Sequence, residues 1–389
     1  VANIAWLGKK SPFCGNVTYG LSTTQALRDR GHEVSFIHFD TPAAALSRQD
    51  AARPGDQTAP DVTLPYLVKS QVYTIPSPGA QRELRESLER LGPDLVHASL
   101  TLSPLDFRLP ELCRQLGVPL VATFHPPFDA GLRNLASGTQ HLTYQLYAPS
   151  LARYDRVIVF SELQAEVLER LGIRQDRLAV IPNGVDPDLW CPPSAAAAAQ
   201  LKPLRQRLGN RRVFLFMGRV ATEKNLEALL RAWRLVETPG CVLVVVGDGP
   251  QRAALQNPQD TDVVWWGHEA DRAVRVALLQ LAEVFLLPSL VEGLSLALLE
   301  AMACGTACVA TDAGADGEVL EGGAGIVIST QGVTTQLRTL LPVLRDQPLL
   351  TAELGRRARA RVLERYTLTT NIDALERLYA DLLRQPLAA

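Results

Sequence analysis

The sequence predicts an α/β protein made of two Rossmann-like halves. Short apolar strand runs alternate with helical segments throughout, which is the pattern of parallel sheets flanked by helices. The alternation is interrupted once, by a Pro- and Ala-rich stretch at residues 187–205, and then starts again. The length of 389 residues suits two domains of ordinary size with a large buried core.

In order, Asn3 to Gly8 reads as a buried strand, Leu21 to Arg30 as a helix stopped by Gly31, and Glu33 to His38 as the next strand. Residues 41–61 carry Pro42, Pro54, Gly55 and Pro60 without apolar periodicity and read as a long loop. One or two strands are expected within Val62–Ile75, then a helix over Ala80–Leu91 ended by Gly92-Pro93. Leu95–His97, Pro119–Phe124, Arg156–Phe160 and Leu178–Ile181 are strands, with helices at Pro110–Leu116 and Glu162–Leu171, the latter capped by Ser161. The first domain therefore covers 1–186 and the linker 187–205, whose alanine run Ala195–Ala199 also suits a short helix. The second domain, 206–365, restarts with the strand Val213–Gly218 and the helix Asn225–Val236. The strands Cys241–Val246, Val263–Gly267, Val284–Pro288, Ala307–Thr311 and Ile326–Ile328 follow, then helices over 334–365 and a last amphipathic helix, Tyr366–Leu383.

Composition excludes several classes. Lys and Arg total 39 against 41 acidic residues, and no basic run stands out, so nucleic acid is not an expected partner. The six cysteines are scattered without zinc-like pairing, which suits a reduced, cytoplasmic compartment. No apolar run reaches the roughly 20 residues of a membrane span, and no signal-peptide pattern is visible. The sequon Asn16-Val17-Thr18 is read as chance.

The chemistry concentrates in Ser289–Gly305, SLVEGLSLALLEAMACG. Glu292 belongs to a loop after a strand, and Glu300 lies inside the apolar helix Leu294–Ala303. A carboxylate among Leu, Ala and Met needs a partner, and ligand hydroxyls supply one. A glycosidase pair fits less well, because eight residues of helix span roughly 12 Å, against about 5–9.5 Å for such pairs. Arg219 and Lys224, in Gly218–Asn225, follow a strand and open a helix, where two cations and a helix N-terminus can clamp a diphosphate. Gly15 lies in the loop after the first strand, where a glycine lets backbone approach a ligand. His125 ends a strand and is followed by Pro126-Pro127; a neutral imidazole there can hydrogen-bond a substrate.

Glu292 to Glu300 resembles the E-x7-E signature of retaining GT-B glycosyltransferases of glycosyltransferase family 4, and Gly218–Asn225 resembles that family's GR-x4-KN motif. The resemblance implies the GT-B fold, two Rossmann-like domains facing across a cleft, with the last helix, 366–389, returning to the first domain. It implies a hexosyl transfer with retained configuration from a nucleotide-sugar co-substrate, a UDP-sugar favoured, to a sugar or glycolipid acceptor, without metal or other cofactor. Glu300 would hold the donor ribose, Glu292 the transferred sugar, and Arg219 and Lys224 the pyrophosphate. His125 would lie beside the sugar and Gly15 near the donor phosphates and the acceptor. The usual EGFG loop is here Glu292-Gly293-Leu294-Ser295, also placed at the donor, and a frequent Gly-Gly is here Gly15-Asn16.

Asp186-Pro187-Asp188 matches a metal-binding DxD pattern but adjoins Pro182-Asn183-Gly184, which favours a turn. Gly247-Asp248-Gly249-Pro250 resembles a structural family loop, and Gly267-His268-Glu269 is expected near the base. Leu132–Tyr154 reads as an amphipathic helix or, alternatively, a peripheral membrane or lipid-acceptor surface. The opening block GKKSPFCGNVTYG is weakly similar to digalactosyldiacylglycerol synthase-type enzymes. Two other readings stay open: a non-catalytic sugar-nucleotide-binding protein, and a glycan phosphorylase, against which stands the lack of a pyridoxal phosphate lysine motif. Acceptor and donor choice would depend on loops 9–20, 41–61 and 126–150.

Overall fold

Strand runs such as Val213–Met217 and Cys241–Val246 are apolar at nearly every position instead of at every second one, which requires burial on both faces and hence a parallel sheet covered by helices. The computed structural model, which describes residues 1–12, 14–40 and 61–384, shows two such sheets. The first has seven parallel strands: β1 (Asn3–Leu7), β2 (Glu33–Phe39), β3 (Val62–Leu64), β6 (Leu95–Ser99), β7 (Leu120–Thr123), β8 (Arg156–Val159) and β9 (Leu178–Val180). Their order in space is β3-β2-β1-β6-β7-β8-β9. Between β3 and β6 stands a separate antiparallel hairpin, β4 (Tyr66–Lys69) and β5 (Thr74–Pro76). The second sheet contains β10 (Arg212–Met217), β11 (Cys241–Val246), β12 (Val263–Gly267), β13 (Ala282–Leu287), β14 (Ala307–Thr311) and β15 (Ile326–Ile328). Its order is β12-β11-β10-β13-β14-β15, all parallel, with Phe214 opposite Leu243 and Leu286 opposite Val309 in register. Both orders step outward from the first strand and then restart on its other side, so each sheet has one topological switch point, where ligands bind beyond the strand ends.

By contacts the chain divides into two units. The first contains Val1–His125, Thr143–Ile181 and the chain from Ile372 onward; the second contains Pro126–Leu142 and Pro182–Asn371. This differs from the sequence-based boundaries, and residues 366–371, expected with the first domain, lie in the second unit. The segment 126–142 groups with the second unit, and so does the Asn-Gly turn read as the end of the first domain. The physical reason is direct pairing: Phe128 exchanges backbone hydrogen bonds with Glu292 (2.9 and 3.3 Å), and Val185 is bonded by Tyr366 and Leu368. The final helix, Leu368–Arg384, belongs to the first unit from Ile372 on. There Tyr379 bonds the buried His97 (2.5 Å), and Arg30 and His32 pair with Asp373 and Glu376.

Several elements depart from the sequence reading. The first helix runs Gly15–Asp29, so Gly15 is its first residue and not a loop residue. Gly20 within it packs against Trp6 and Phe36. The alanine run forms the short helix Ala195–Gln200, one of the two forms it suits, and an unexpected second helix, Lys202–Arg207, runs past residue 205. The aromatic segment, by contrast, forms a helix as expected, over Leu135–Leu151, which buries Tyr144, Tyr147 and Leu151 and exposes Leu135, Leu142 and Leu146. The loop read over 41–61 lies, except for Asp61, outside the described residues. Among the described residues no helix is long and apolar enough to cross a membrane, and the six cysteines are unpaired.

Candidate active site

The second sheet's switch point lies between β10 and β13. The chain leaving β10 makes a single 3-10 turn, Thr222–Lys224, before the helix Leu226–Leu235. The chain leaving β13 makes the loop 288–295 before the helix Leu296–Ala303, two residues later than the composition suggests, because Ser295 caps it by accepting from Leu298 N–H. Leu290 N–H donates to Glu223 C=O (2.8 Å) and joins the two loops. Lys224 Nζ then donates to Glu292 Oε1 at 2.5 Å, and Ser289 Oγ donates to the same oxygen at 2.7 Å. Glu292 is buried, whereas the Lys224 side chain keeps 22% of its surface exposed. Burial would lower the ammonium pKa, but the Glu292 charge and hydrogen bond outweigh it, and the net shift is upward. Lys224 is therefore a fixed cation with an open side.

Arg219 is exposed on the same loop, 3.6 Å from Glu223. Its loop is backed by the Gly247–Pro250 turn: a Cβ on Gly247 (φ +137°) would lie 1.8 Å from Gly218 C=O. That turn is structural, as its sequence suggests.

Glu300 is buried in its helix, 6% exposed, and burial pushes its pKa up to about 7 against the opposing charge of Arg275. The three residues between Glu292 and the helix are engaged internally. Gly293 C=O accepts from Ala315 N–H, Leu294 C=O from Asn183 Nδ2, and Ser295 N–H donates to Asp316 Oδ1. Asp186 Oδ1 accepts from the N–H groups of Asp188 and Leu189, a turn contact. Glu269 accepts from Trp266 Nε1.

In the first unit the switch point lies between β1 and β6. The helix Gly15–Asp29 starts there, with Gly15 exposed and open space where a Cβ would stand. Asn16 Nδ2 donates to Leu100 C=O, which turns Asn16 Oδ1 toward Ser99 Oγ. Ser99 donates to that oxygen, so at 2.8 Å it accepts from His125 Nε2–H, leaving the lone pair on Nδ1. Packing against Tyr19 and Phe160, helped by the Lys9 charge, pushes the His125 pKa down to about 3 and keeps the ring neutral. Lys9 is buried and donates to the backbone carbonyls of Gln71 and Val72.

Two family models match successive parts of the chain. A model described as Glycosyltransferase Family 4 matches residues 15–189, and one described as Glycosyl transferases group 1 matches residues 211–346. A GDP-mannose-dependent alpha-(1-6)-phosphatidylinositol dimannoside mannosyltransferase of Mycobacterium tuberculosis is 30% identical over 306 residues, 76% of this chain and 75% of the relative. The chain belongs to glycosyltransferase family 4. This family 4 glycosyltransferase is also 28% identical to a phosphatidyl-myo-inositol mannosyltransferase of Mycolicibacterium smegmatis, over 90% of this chain and 87% of that one. Its fold is GT-B: Anabaena HepE, crystallised with UDP-glucose, superposes with a TM-score of 0.75 at 21% identity, covering 98% of this chain and 100% of the other.

The glycosyltransferase contains residues that the motif reading missed. Ser289 shares Glu292 with Lys224. Asp312 pairs with Arg133, which also pairs with Asp129. Asp316 is fully buried behind the Glu292 loop. Ser289 adjoins the motif and was within reach of it; the others come from distant stretches with no signal of their own.

Proposed function

We propose that this glycosyltransferase moves a hexosyl unit from a nucleotide-sugar to an acceptor hydroxyl with retention of configuration and without a metal ion. The observation that carries the reading is the Lys224–Glu292–Ser289 cluster at the second sheet's switch point, which presents a fixed cation beside a buried carboxylate. A diphosphate would be met by Lys224, by Arg219 as it swings from Glu223, and by the start of the helix Leu226–Leu235. Glu292 would accept from sugar hydroxyls and Glu300, when ionised, from the ribose. In the reaction the bond from the anomeric carbon to the phosphate oxygen breaks and a bond to the acceptor oxygen forms on the same face. The acceptor's proton passes to the leaving diphosphate, whose charge the two cations stabilise. The neutral His125 offers Nδ1 as an acceptor and does not serve as a strong base.

A UDP-sugar is the first donor to try, and glycolipids are the first acceptor class. The exposed Leu135, Leu142 and Leu146 support a peripheral lipid contact. The test is a thermal-shift panel of UDP-, GDP- and ADP-sugars, followed by product analysis by NMR with and without a chelator. Binding of one nucleotide series, an axial-to-axial or equatorial-to-equatorial product, and chelator-resistant turnover are expected. An inverted anomer or turnover abolished by chelation would overturn the reading.

A further inference from the structure

We infer that Asp316 is a positioning residue of the donor site, holding the Glu292–Ser295 loop in place through Ser295 N–H. This rests on the donor reading of Lys224 and Glu292 and adds a residue to it.

Asp316 opens the short helix Asp316–Val319 after β14 and is 0% exposed. Its Oδ1 accepts from Ser295 N–H at 3.1 Å, and its Oδ2 has no hydrogen-bond partner among the described residues. One residue earlier, Ala315 N–H donates to Gly293 C=O at 2.8 Å. Two residues earlier, Gly314 (φ +56°) lies so close that a Cβ there would stand 1.9 Å from Glu292 C=O. The chain 314–316 therefore forms a backing strip along the loop 292–295, touching it at three successive points. Asp316 is the one member of the strip that acts through its side chain.

A wholly buried carboxyl with one idle oxygen is costly, and packing alone would be served better by an apolar residue. The charges around it show what the carboxyl does. Glu292, Lys224 and the Cys308 thiol of β14 are all close enough to interact with its charge. Burial first, and the Glu292 charge second, push the Asp316 pKa well above the usual carboxylate range, while the Ser295 N–H and Lys224 pull against them. In its neutral form Asp316 holds Ser295 without competing with Glu292 for Lys224, and Lys224 stays available to a diphosphate. Ionised at alkaline pH, it would set a second carboxylate on the same ammonium and weaken the hold on an anionic ligand.

The experiment measures dissociation constants of UDP-glucose and GDP-mannose by calorimetry from pH 6 to pH 9.5 for the full chain and for Asp316→Asn, Asp316→Ala and Lys224→Ala. Thermal melts of each variant report folding. The wild type should bind one donor and lose affinity on the alkaline side. Asp316→Asn keeps an acceptor for Ser295 N–H and cannot ionise, so it should bind within about threefold of wild type at neutral pH and show no alkaline loss. Asp316→Ala loses the anchor and should bind about tenfold more weakly at every pH. An alkaline loss that persists in the Asn variant, or an Ala variant as tight as wild type, would overturn the inference while weak binding by Lys224→Ala upholds the donor site. Should Asp316→Ala not fold, the pH profile of Asp316→Asn decides alone. Unchanged affinity in Lys224→Ala, or no binding of either donor by the wild type, removes the donor-site reading and this inference with it.

Discussion

The two switch points have the same strand order and differ in charge. In the second unit Lys224, Glu292, Asp316 and Glu300 bring one cation and three carboxyl groups to the strand ends, with Arg219 exposed on the same loop. In the first, the corresponding place is filled by a neutral relay, Asn16–Ser99–His125, and the nearby Lys9 ammonium is bound to backbone carbonyls. The Lys9 pKa is lowered by burial, although the Cys14 and Asp106 charges oppose that shift, whereas the Lys224 pKa is raised by Glu292. One scaffold thus yields a charged cluster at one set of strand ends and a neutral hydrogen-bonded relay at the other. The lesson is that function follows the groups at the strand ends and not the strand order.

The comparison is most easily broken at Lys224. Lys224→Ala leaves Glu292 buried with only Ser289 and removes the fixed cation, so turnover should fall by about 100-fold or more, read as kcat/KM on the nucleotide-sugar. Gly314→Ala should come next. The added methyl meets Glu292 C=O in a left-handed backbone, so about 2–3 kcal/mol of stability should be lost in urea unfolding, with the donor site displaced.

Glu300 sharpens the contrast through pH. Its folded pKa, about 7, lies above the 4.5 of an ordinary glutamate, so ionisation opposes folding. The stability held below about pH 4.5 is lost as pH rises through about 7, and Glu300→Gln should flatten that fall in thermal melts. If the ionised form receives the ribose, nucleotide affinity in the wild type should rise by roughly tenfold between pH 6 and pH 8, and Glu300→Gln should show no such rise. A wild-type affinity independent of pH would remove Glu300 from the ribose.

The smallest effect belongs to the first unit. Ser99→Ala frees His125 Nε2 and lets the imidazole change tautomer. Nucleotide affinity should stay within about twofold, whereas the acceptor KM should rise by a few-fold, the loss of one neutral hydrogen bond. A larger loss in nucleotide affinity than in acceptor KM would show that the two switch points do not divide the work as their charges suggest.

The strands and the charged motifs were legible because their signals are local. A run such as Val242–Val246 can only be a doubly buried strand, and Arg219, Lys224, Glu292 and Glu300 lie within two short stretches next to such runs. The start of the first helix was not legible, because Gly15, Thr18 and Gly20 are poor helix formers and the turn is held by its packing on Trp6 and Phe36. The same holds for the grouping of 126–142, which depends on Phe128 pairing with Glu292 across 164 positions of sequence.

Sequence by itself determined the parallel sheets, their covering helices and the cations and carboxylates of the loops after β10 and β13, since hydrophobic period and residue type act over a few neighbours. Tertiary structure decided how those groups are used. It put Lys224 on Glu292, assigned Ser295 to the helix cap, fixed the His125 tautomer through Asn16 and Ser99, and buried Asp316 behind the loop. Each of these is a contact between residues distant in the chain or a choice among hydrogen-bond partners. Its energy depends on burial and direction, which exist only once the sheets have brought the loops together.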